Sequence, residues 1–274
     1  MKVAALQMTS GPDVAANLAQ AGGLLEEAAR RGAQLAALPE NFSFMGLKDA
    51  DKRAVAEADG SGPVQDFLAA SARRLKLWIV GGTTPLKGGA DGRVAAASLV
   101  YDAGGARVAR YDKIHLFDVD LPGRPESYRE SANVAPGASA AVLDTPAGRL
   151  GLSVCYDVRF PELYRQLSAA GAQLLSVPSA FTAPTGRAHW ETLLRARAIE
   201  NLCYVIAPAQ SGIHPSGRET YGDSMIVDYW GQILARVPRG RGCAVAEVDL
   251  ARQASVREGF PALTHRVLGE GARS

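Results

Sequence analysis

The chain has 274 residues, of which 47% are hydrophobic and 21% charged, a near-average globular composition that argues against disorder. Thirty Lys and Arg residues oppose 28 Asp and Glu residues, and the basic residues are scattered, so nucleic-acid binding gains little support. The first residues, MKVAALQM, do not resemble a signal peptide, and no apolar stretch approaches the roughly 20 residues that span a bilayer. We therefore expect a cytoplasmic protein that does not act at a membrane.

Strand-like and helix-like segments alternate through the first half of the chain. Apolar periodicity and turn signals predict, in order, a strand over 3–8, a helix over 14–31, a strand over 33–39, a helix over 63–75 and a strand over 77–82. Two further strands, 93–102 and 106–112, are joined by a glycine turn that is typical of an antiparallel pair. A mixed sheet follows from that combination.

The second half continues the pattern, with no linker that would separate two folding units. The predicted strands are 150–155, 174–178, 204–209, 219–228, 231–237 and 241–248, and the predicted helices are 161–170 and 189–200. The long stretch 116–141 is predicted to be a functional loop. Helices covering the outer faces of two packed β-sheets accommodate this many elements within one domain, residues 1–274.

Three cysteines, Cys155, Cys203 and Cys243, lie far apart, without a CxxC pair or a Cys/His spacing typical of zinc. We expect free thiols in a reducing compartment and no metal site. Most free cysteines are simply small buried apolar residues, and Cys203 and Cys243 keep that interpretation.

Charged or nucleophilic side chains follow three of the predicted strands. Glu40 comes directly after an apolar strand in LPENF, Lys113 follows another in YDKIHLFD, and Cys155 ends a third. Strand ends are where α/β proteins commonly assemble their sites, although a glutamate or lysine there is more often simply solvated.

Cys155 has the most informative surroundings of the three. Polar residues follow it and Pro161 opens a helix, an order similar to the strand–turn–helix of nucleophiles in α/β hydrolases. A thiol with its ordinary pKa of roughly 8.5 is mostly protonated near neutrality and needs a base or a nearby cation. Glu40 and Lys113 could supply both, which indicates cysteine-dependent catalysis.

Together these segments resemble the nitrilase superfamily of carbon–nitrogen hydrolases. The motifs that carry the resemblance run through nearly the whole chain: LPENF, YDKIHLFD, YRESANVAPG, CYDVRFPEL, PSAF, AHWETLLRARAIEN and YGDSMIVDYWG. The resemblance implies an α/β fold, an α-β-β-α sandwich of two mixed β-sheets flanked by helices. It also implies a homodimer or a higher homo-oligomer, formed through helices and the C-terminal segment.

The resemblance further implies a role for each site residue. Cys155 is the nucleophile, Glu40 the general base and Lys113 the oxyanion stabiliser, while the backbone N–H of Tyr156 completes the oxyanion hole. Glu130, in YRESANVAPG, orients the lysine and the substrate. An amide is attacked, ammonia or an amine leaves, and water activated by Glu40 hydrolyses the thioester, without a metal or organic cofactor.

Within the superfamily the chain is similar to the deaminated glutathione amidases, through HLFDVDLPG, CYVIAPAQSG and the short loop 214–217. An ω-amidase acting on α-ketoglutaramate, or an N-carbamoyl hydrolase, would keep the same catalytic residues and stays an alternative. The ketoacid amides are anionic, so a cationic group is expected in the pocket. The substrate-binding candidates from the motif segments are Arg159, Arg187, Phe181 and His189, whereas Arg197 could as easily pair with Glu200.

Three positions depart from the subfamily pattern. Arg187 and Tyr229 each replace a usual proline, and Asp223 replaces a usual histidine. Because Arg187 and Asp223 are expected to line or border the pocket, these changes bear on the substrate rather than on the reaction. A catalytically silent binding subunit is the alternative from another class, and the intact catalytic set argues against it.

Overall fold

The computed structural model describes residues 1–88, 91–121, 123 and 126–267. Its helices are α1 (Val14–Arg30), α2 (Pro63–Leu75), α3 (Pro161–Ala169), α4 (Ala183–Asn201) and α5 (Leu250–Gly259). The strands of the first half are β1 (Lys2–Gln7), β2 (Leu35–Ala37), β3 (Trp78–Val80), β4 (Thr84–Lys87), β5 (Val94–Tyr101), β6 (Arg107–Asp112), β7 (Asp118–Asp120), β8 (Ser127–Arg129) and β9 (Val134–Ala135). The remaining strands are β10 (Ala141–Thr145), β11 (Gly148–Leu152), β12 (Leu174–Ser176), β13 (Tyr204–Ala207), β14 (Ser211–Ile213), β15 (Glu219–Tyr221), β16 (Ser224–Val227), β17 (Ile233–Val237) and β18 (Gly242–Glu247).

Two large mixed sheets contain most of these strands. Sheet I has the order β18-β1-β2-β3-β5-β4, with β6 and β9 also pairing with β5. Sheet II has the order β10-β11-β12-β13-β16-β17. In sheet I, β1, β2 and β3 run parallel, while β18 is antiparallel to β1 and β5 is antiparallel to β3, and this confirms the predicted mixed sheet.

The two sheets pack face to face, and alternate residues of β1 show how. Val3 and Ala5 belong to the core that includes Leu152 and Val205 of sheet II. Ala4 and Leu6 face the opposite way, into a second core with the apolar residues of α1 and α2. Apolar residues of α3 and α4 pack on sheet II, so helices flank both sheets as the sequence predicted.

Two predicted elements have different bounds in the structure. The helix expected over 189–200 is α4, which begins at Ala183, because Pro184 occupies its first turn, where a missing N–H costs nothing. The strand expected over 219–228 is two strands, β15 and β16, in different sheets. The chain turns between them at Gly222 and Asp223, whose φ angles are 75° and 62°.

The stretch 116–141 is more ordered than a loop. It contains the antiparallel pair β7 and β8, and β9, which joins sheet I. Pro122 of the HLFDVDLPG motif lies outside the described residues, as do residues 268–274 of the expected oligomer contact, and a single domain over 1–274 stays a prediction. Among the residues that the structure describes, no helix is long and apolar enough to cross a membrane.

Candidate active site

Glu40 lies three residues beyond the end of β2, in a turn closed by the bond from the Phe42 N–H to the Pro39 carbonyl, 3.2 Å. The next residue, Asn41, has a left-handed backbone, and its N–H donates to Thr83 Oγ1 at 2.8 Å. These bonds fix the direction of the Glu40 side chain. The residue is only 4% exposed, so its carboxylate needs partners inside the protein.

Lys113 supplies the nearest partner. It follows β6 directly, is 1% exposed, and its Nζ donates to Glu40 Oε1 at 2.8 Å and to Glu130 Oε2 at 2.8 Å. Burial alone would lower the pKa of Lys113, but the charges of Glu130 and Glu40 outweigh it and hold that pKa well above its ordinary value. The lysine is therefore a fixed cation between two carboxylates.

Glu130 is held in place from a second direction. Its Oε2 accepts a hydrogen bond of 2.7 Å from the Phe117 N–H, in addition to the bonds from Lys113. Burial opposes the charge on Glu130, but Lys113 and Lys52 outweigh it, so the pKa of Glu130 is lowered. Glu130 stays ionised and positions the lysine.

Cys155 opens a short 3-10 turn, Cys155–Arg159, three residues after β11. Its φ of 48° is uncommon for a residue with a side chain, and its N–H donates to the Pro178 carbonyl at 2.8 Å. Such a sharp turn between a strand and a helix resembles the nucleophile position of α/β hydrolases. Because Tyr156 is in the first turn, its N–H has no acceptor within that turn.

The thiol of Cys155 is 7% exposed and lies within hydrogen-bonding reach of Glu40. Burial, and after it the charge of Glu40, raises the pKa of this thiol, while Lys113 opposes the shift. The resting thiol is therefore protonated near neutral pH and has a base beside it.

Asp157 joins the cysteine turn to the segment around Lys113. The buried carboxylate accepts hydrogen bonds from Tyr111 Oη, 2.7 Å, and from the Val154 N–H, 2.7 Å. It also accepts from the His115 N–H, 3.1 Å, and contacts His115 Nδ1 at 2.7 Å. The Asp157 carboxylate thus connects Tyr111 and His115, on either side of Lys113, to Val154, which precedes Cys155.

All of these reactive groups meet in one cavity, which we call the reactive cavity. Its lining residues are Glu40, Asn41, Asp49, Lys52, Lys113, Phe117, Tyr128, Glu130, Cys155, Tyr156, Arg159, Ala180, Phe181, Thr182, Thr185 and Arg218. The structure therefore brings together the predicted Glu40, Lys113, Cys155, Tyr156 and Glu130, from strand ends that are far apart in sequence.

The four predicted substrate-binding residues divide into two pairs. Arg159 and Phe181 line the reactive cavity, with the Arg159 guanidinium 5.2 Å from the centre of the Phe181 ring. His189 and Arg187 are exposed residues of α4 and are not part of that lining. His189 Nδ1 lies 3.2 Å from Arg159 Nη1, so His189 contacts the site through this arginine.

The cavity also contains residues that the sequence reasoning did not single out. Lys52, Tyr128, Thr185 and Arg218 all line it. Tyr128 is the first residue of the YRESANVAPG motif, and Arg218 directly follows the short loop 214–217, so both were within segments already noted. Lys52 lies in a 3-10 turn, Asp49–Arg53, for which the sequence offers no periodic signal.

The subfamily departures lie away from the reacting atoms. Asp223 was expected to border the pocket, but its carboxylate pairs with Arg236 of β17 at 2.5 and 2.6 Å. Tyr229 is buried edge-to-face against Tyr204. Arg197 binds Glu200 at 2.8 Å, the ion pair that the sequence allowed.

The geometry supports one kind of chemistry. A protonated thiol, a buried base and a buried cation surround the same space, which suits attack on a carbonyl carbon and stabilisation of the resulting oxyanion. Within the described ranges, no group of three or more His, Cys, Asp or Glu side chains is placed to hold a metal ion.

Comparison with known proteins decides the family. Residues 2–258 match the carbon-nitrogen hydrolase family. The chain belongs to the carbon–nitrogen hydrolase family. It is thus a hydrolase of carbon–nitrogen bonds, as its resemblance to the nitrilase superfamily predicted, and an amide is a suitable substrate.

Relatives in this family match nearly the whole chain. A Synechocystis protein named deaminated glutathione amidase is 47% identical over 267 residues, which cover 96% of this chain and 97% of that protein. The human protein of the same name is 42% identical over 268 residues, covering 96% of this chain and 81% of the relative.

Solved structures confirm the fold. The Caenorhabditis elegans NitFhit protein superposes with a TM-score of 0.90 at 42% identity, over 97% of this chain. This chain spans only 64% of that longer protein. Saccharomyces cerevisiae Nit3, described as a member of branch 10 of the nitrilase superfamily, gives a TM-score of 0.86 at 32% identity, covering 95% of this chain and 94% of Nit3.

Proposed function

We propose that this carbon–nitrogen hydrolase cleaves the amide of deaminated glutathione, giving 2-oxoglutarate and cysteinylglycine. The observation that carries the reaction is the convergence of Cys155, Glu40, Lys113 and Glu130 in one cavity. The names of the Synechocystis and human relatives support the choice of substrate.

Attack begins from a neutral thiol. Because burial and the Glu40 charge raise the pKa of Cys155, the thiol keeps its proton until the substrate carbonyl is in place. Glu40 then accepts that proton as the sulfur forms a bond to the amide carbon. The negative charge moves to the substrate oxygen, where the Lys113 ammonium and the Tyr156 N–H stabilise it.

The tetrahedral intermediate collapses when the carbon–nitrogen bond breaks. Glu40 returns the proton to the departing nitrogen, so the amine leaves neutral and a thioester remains on Cys155. Water enters, Glu40 takes one of its protons, and the hydroxide adds to the thioester carbon. The second collapse releases the 2-oxoglutarate carboxyl group and returns the proton to Cys155.

Arg159 suits the 2-oxo acid end of the substrate. Its guanidinium lines the reactive cavity and lies 5.7 Å from the centre of the Tyr156 ring and 5.2 Å from the centre of the Phe181 ring. Burial lowers its pKa, yet the group remains fully cationic at neutral pH. A planar guanidinium binds a carboxylate through two parallel hydrogen bonds.

The ω-amidase reaction is the second candidate, because Arg159 would bind the same 2-oxo acid in α-ketoglutaramate. Both substrates yield 2-oxoglutarate, so one assay compares them directly. We expect the wild-type protein to have the higher kcat/KM for deaminated glutathione, and the Cys155→Ala variant to lose turnover of both. A preference for α-ketoglutaramate would instead make the protein an ω-amidase, and activity on neither would direct the search to carbamoyl compounds.

We also propose a homodimer. Trp230 and Phe260 are 59% and 53% exposed, and their rings pack together at 5.6 Å beside the exposed Leu234, an apolar surface suited to a partner copy. Sedimentation velocity with the Trp230→Ser variant should show a smaller species than the wild type. A cytoplasmic location is proposed because three free cysteines are typical of a reducing compartment, and cell fractionation tests it.

A further inference from the structure

A second cavity adjoins the reactive one. This outer cavity is lined by Asn41, Met45, Gly46, Leu47, Lys48, Asp49, Lys52, Tyr128, Ser216 and Arg218. Five of these residues also line the reactive cavity: Asn41, Asp49, Lys52, Tyr128 and Arg218. A ligand that reaches past these residues from the nucleophile therefore enters the outer cavity.

Arg218 lies at the boundary between the two cavities and has an unused hydrogen-bond donor. Its Nη2 donates to the Ala180 carbonyl at 2.9 Å, and its guanidinium lies 5.1 Å from the centre of the Tyr128 ring. Its Nε is buried and has no hydrogen-bond partner. Within residues 1–88, 91–121, 123 and 126–267, none of its contacts is an ion pair with a carboxylate.

Among the other cations of the cavity, Arg159 is assigned to the 2-oxo acid end of the substrate, and the two lysines already have carboxylate neighbours. Lys113 is neutralised by two carboxylates, Glu40 and Glu130. Lys52 lies near enough to Glu130 to help lower the pKa of that residue. Arg218 therefore suits an anion brought by the substrate, because a buried N–H without an acceptor gains most from a new carboxylate partner.

One residue contacts both the nucleophile and Arg218. The Ala180 N–H lies toward the Cys155 sulfur, and the Ala180 carbonyl accepts a hydrogen bond from Arg218. The sulfur and the guanidinium therefore lie on either side of Ala180. In an extended dipeptide such as cysteinylglycine the terminal carboxylate lies up to about 7 Å from the amide nitrogen.

We infer that Arg218, lying over Tyr128, binds the terminal carboxylate of the cysteinylglycine leaving group. This inference rests on the proposed function. Arg159 and Arg218 would then hold the two ends of one dianionic substrate. α-Ketoglutaramate has the first end only, so Arg218 is a specificity-determining residue that separates the two amidase activities.

The test pairs a change in the enzyme with a change in the substrate. Wild type, Arg218→Gln and Arg218→Lys would be assayed for 2-oxoglutarate release from deaminated glutathione, from its analogue with a glycine carboxamide, and from α-ketoglutaramate. We expect Arg218→Gln to lower kcat/KM for deaminated glutathione by about ten- to 100-fold, with partial rescue by lysine. The kcat/KM values for the carboxamide analogue and for α-ketoglutaramate, which both lack the glycine carboxylate, should change less than twofold. Arg30→Gln, at an exposed residue of α1, is the matched control.

Each outcome decides a separate point. In wild type, replacing the glycine carboxylate of the substrate by a carboxamide should lower kcat/KM by about the same factor as the Arg218→Gln substitution does. In Arg218→Gln, the same change of substrate should lower kcat/KM no further. The wild-type comparison does not depend on the folding of any variant. An equal loss on all three substrates would mean that Arg218 acts through Ala180, which overturns the inference while the proposed function stands. If wild type does not hydrolyse deaminated glutathione, the proposed function and the inference fail together.

Discussion

Asp157 Oδ2 accepts a hydrogen bond of 2.7 Å from Tyr111 Oη, so the second residue after the nucleophile is tied to the second residue before Lys113. Both residues are almost completely buried. Burial, followed by the charge of Asp157, raises the pKa of Tyr111, so the phenol remains a donor throughout the working pH range. This one carboxylate therefore links the segment that carries Cys155 to the segment that carries Lys113.

The Asp157→Asn variant should be both less stable and less active. The amide keeps the shape but has only one acceptor oxygen for bonds from Tyr111, Val154 and His115. We expect urea unfolding to show a loss of about 2–3 kcal/mol, because hydrogen bonds to a buried charge are worth more than neutral ones. Tyr111→Phe, which removes one of these bonds, should lose less. Equal stability of Asp157→Asn and wild type would show that the bonds do not support the turn.

Replacing Glu40 by glutamine should separate thiol acidity from catalysis. Because the negative charge of Glu40 raises the pKa of Cys155, its removal should lower that pKa while Lys113 still favours the thiolate. Iodoacetamide alkylation of Cys155 should therefore begin at lower pH in Glu40→Gln than in wild type.

Amide turnover by the same variant should nevertheless fall, by roughly 100- to 10,000-fold, since no base remains for the thiol proton or the water. Cys155→Ala is the control for labelling at Cys203 and Cys243. An alkylation profile shifted to higher pH would contradict the electrostatic account of the site.

The Glu130→Gln variant should change the alkaline side of the activity profile. Burial disfavours the charged form of Lys113, and Glu130 and Glu40 offset it. With one carboxylate gone, the pKa of Lys113 must fall, so kcat/KM should begin to decline at lower pH than in wild type. Glu219→Gln, at an exposed residue, should leave the profile unchanged. An alkaline limb that did not move would mean that Glu130 does not set the lysine charge.

Gly82 fixes the approach to Glu40. Its φ is 47°, and a Cβ there would lie 2.0 Å from the Pro39 carbonyl oxygen, so Gly82→Ala must displace the turn that carries Glu40. We expect a loss of stability of more than about 2 kcal/mol together with lower kcat. Gly60→Ala is the matched control, because Gly60 also has a positive φ but no atom lies within 4 Å of its would-be Cβ. It should cost only about 1 kcal/mol and leave kcat intact.

The sequence predicts the catalytic set better than it predicts the cavity. Glu40 and Cys155 each follow an apolar strand, and Lys113 follows the more polar strand β6, RVARYD. Local sequence patterns predict these strand ends. Arg218 follows a short hairpin loop, and nothing in its local sequence tells where β14 and β15 place it. Its importance depends on contacts with Ala180 and Tyr128, which are 38 and 90 positions away in the chain.

Element bounds depend on similar tertiary contacts. The residues 183–188 contain a proline and a glycine, which usually break helices, so the pattern did not include them in α4. The sequence of residues 219–228 predicts a single strand, because both halves of this stretch contain strand-forming residues. Only the positive φ angles at Gly222 and Asp223, where the chain crosses between sheets, show that there are two.

A thioester on Cys155 can be observed directly. Wild type and Cys155→Ala would be mixed with deaminated glutathione, quenched in acid within the first turnovers, and analysed by intact-protein and peptide mass spectrometry. We expect a 2-oxoglutaryl group on the peptide that contains Cys155 in wild type, and neither the adduct nor product in the variant. Continued release of 2-oxoglutarate by Cys155→Ala would contradict the central claim that hydrolysis proceeds through this cysteine.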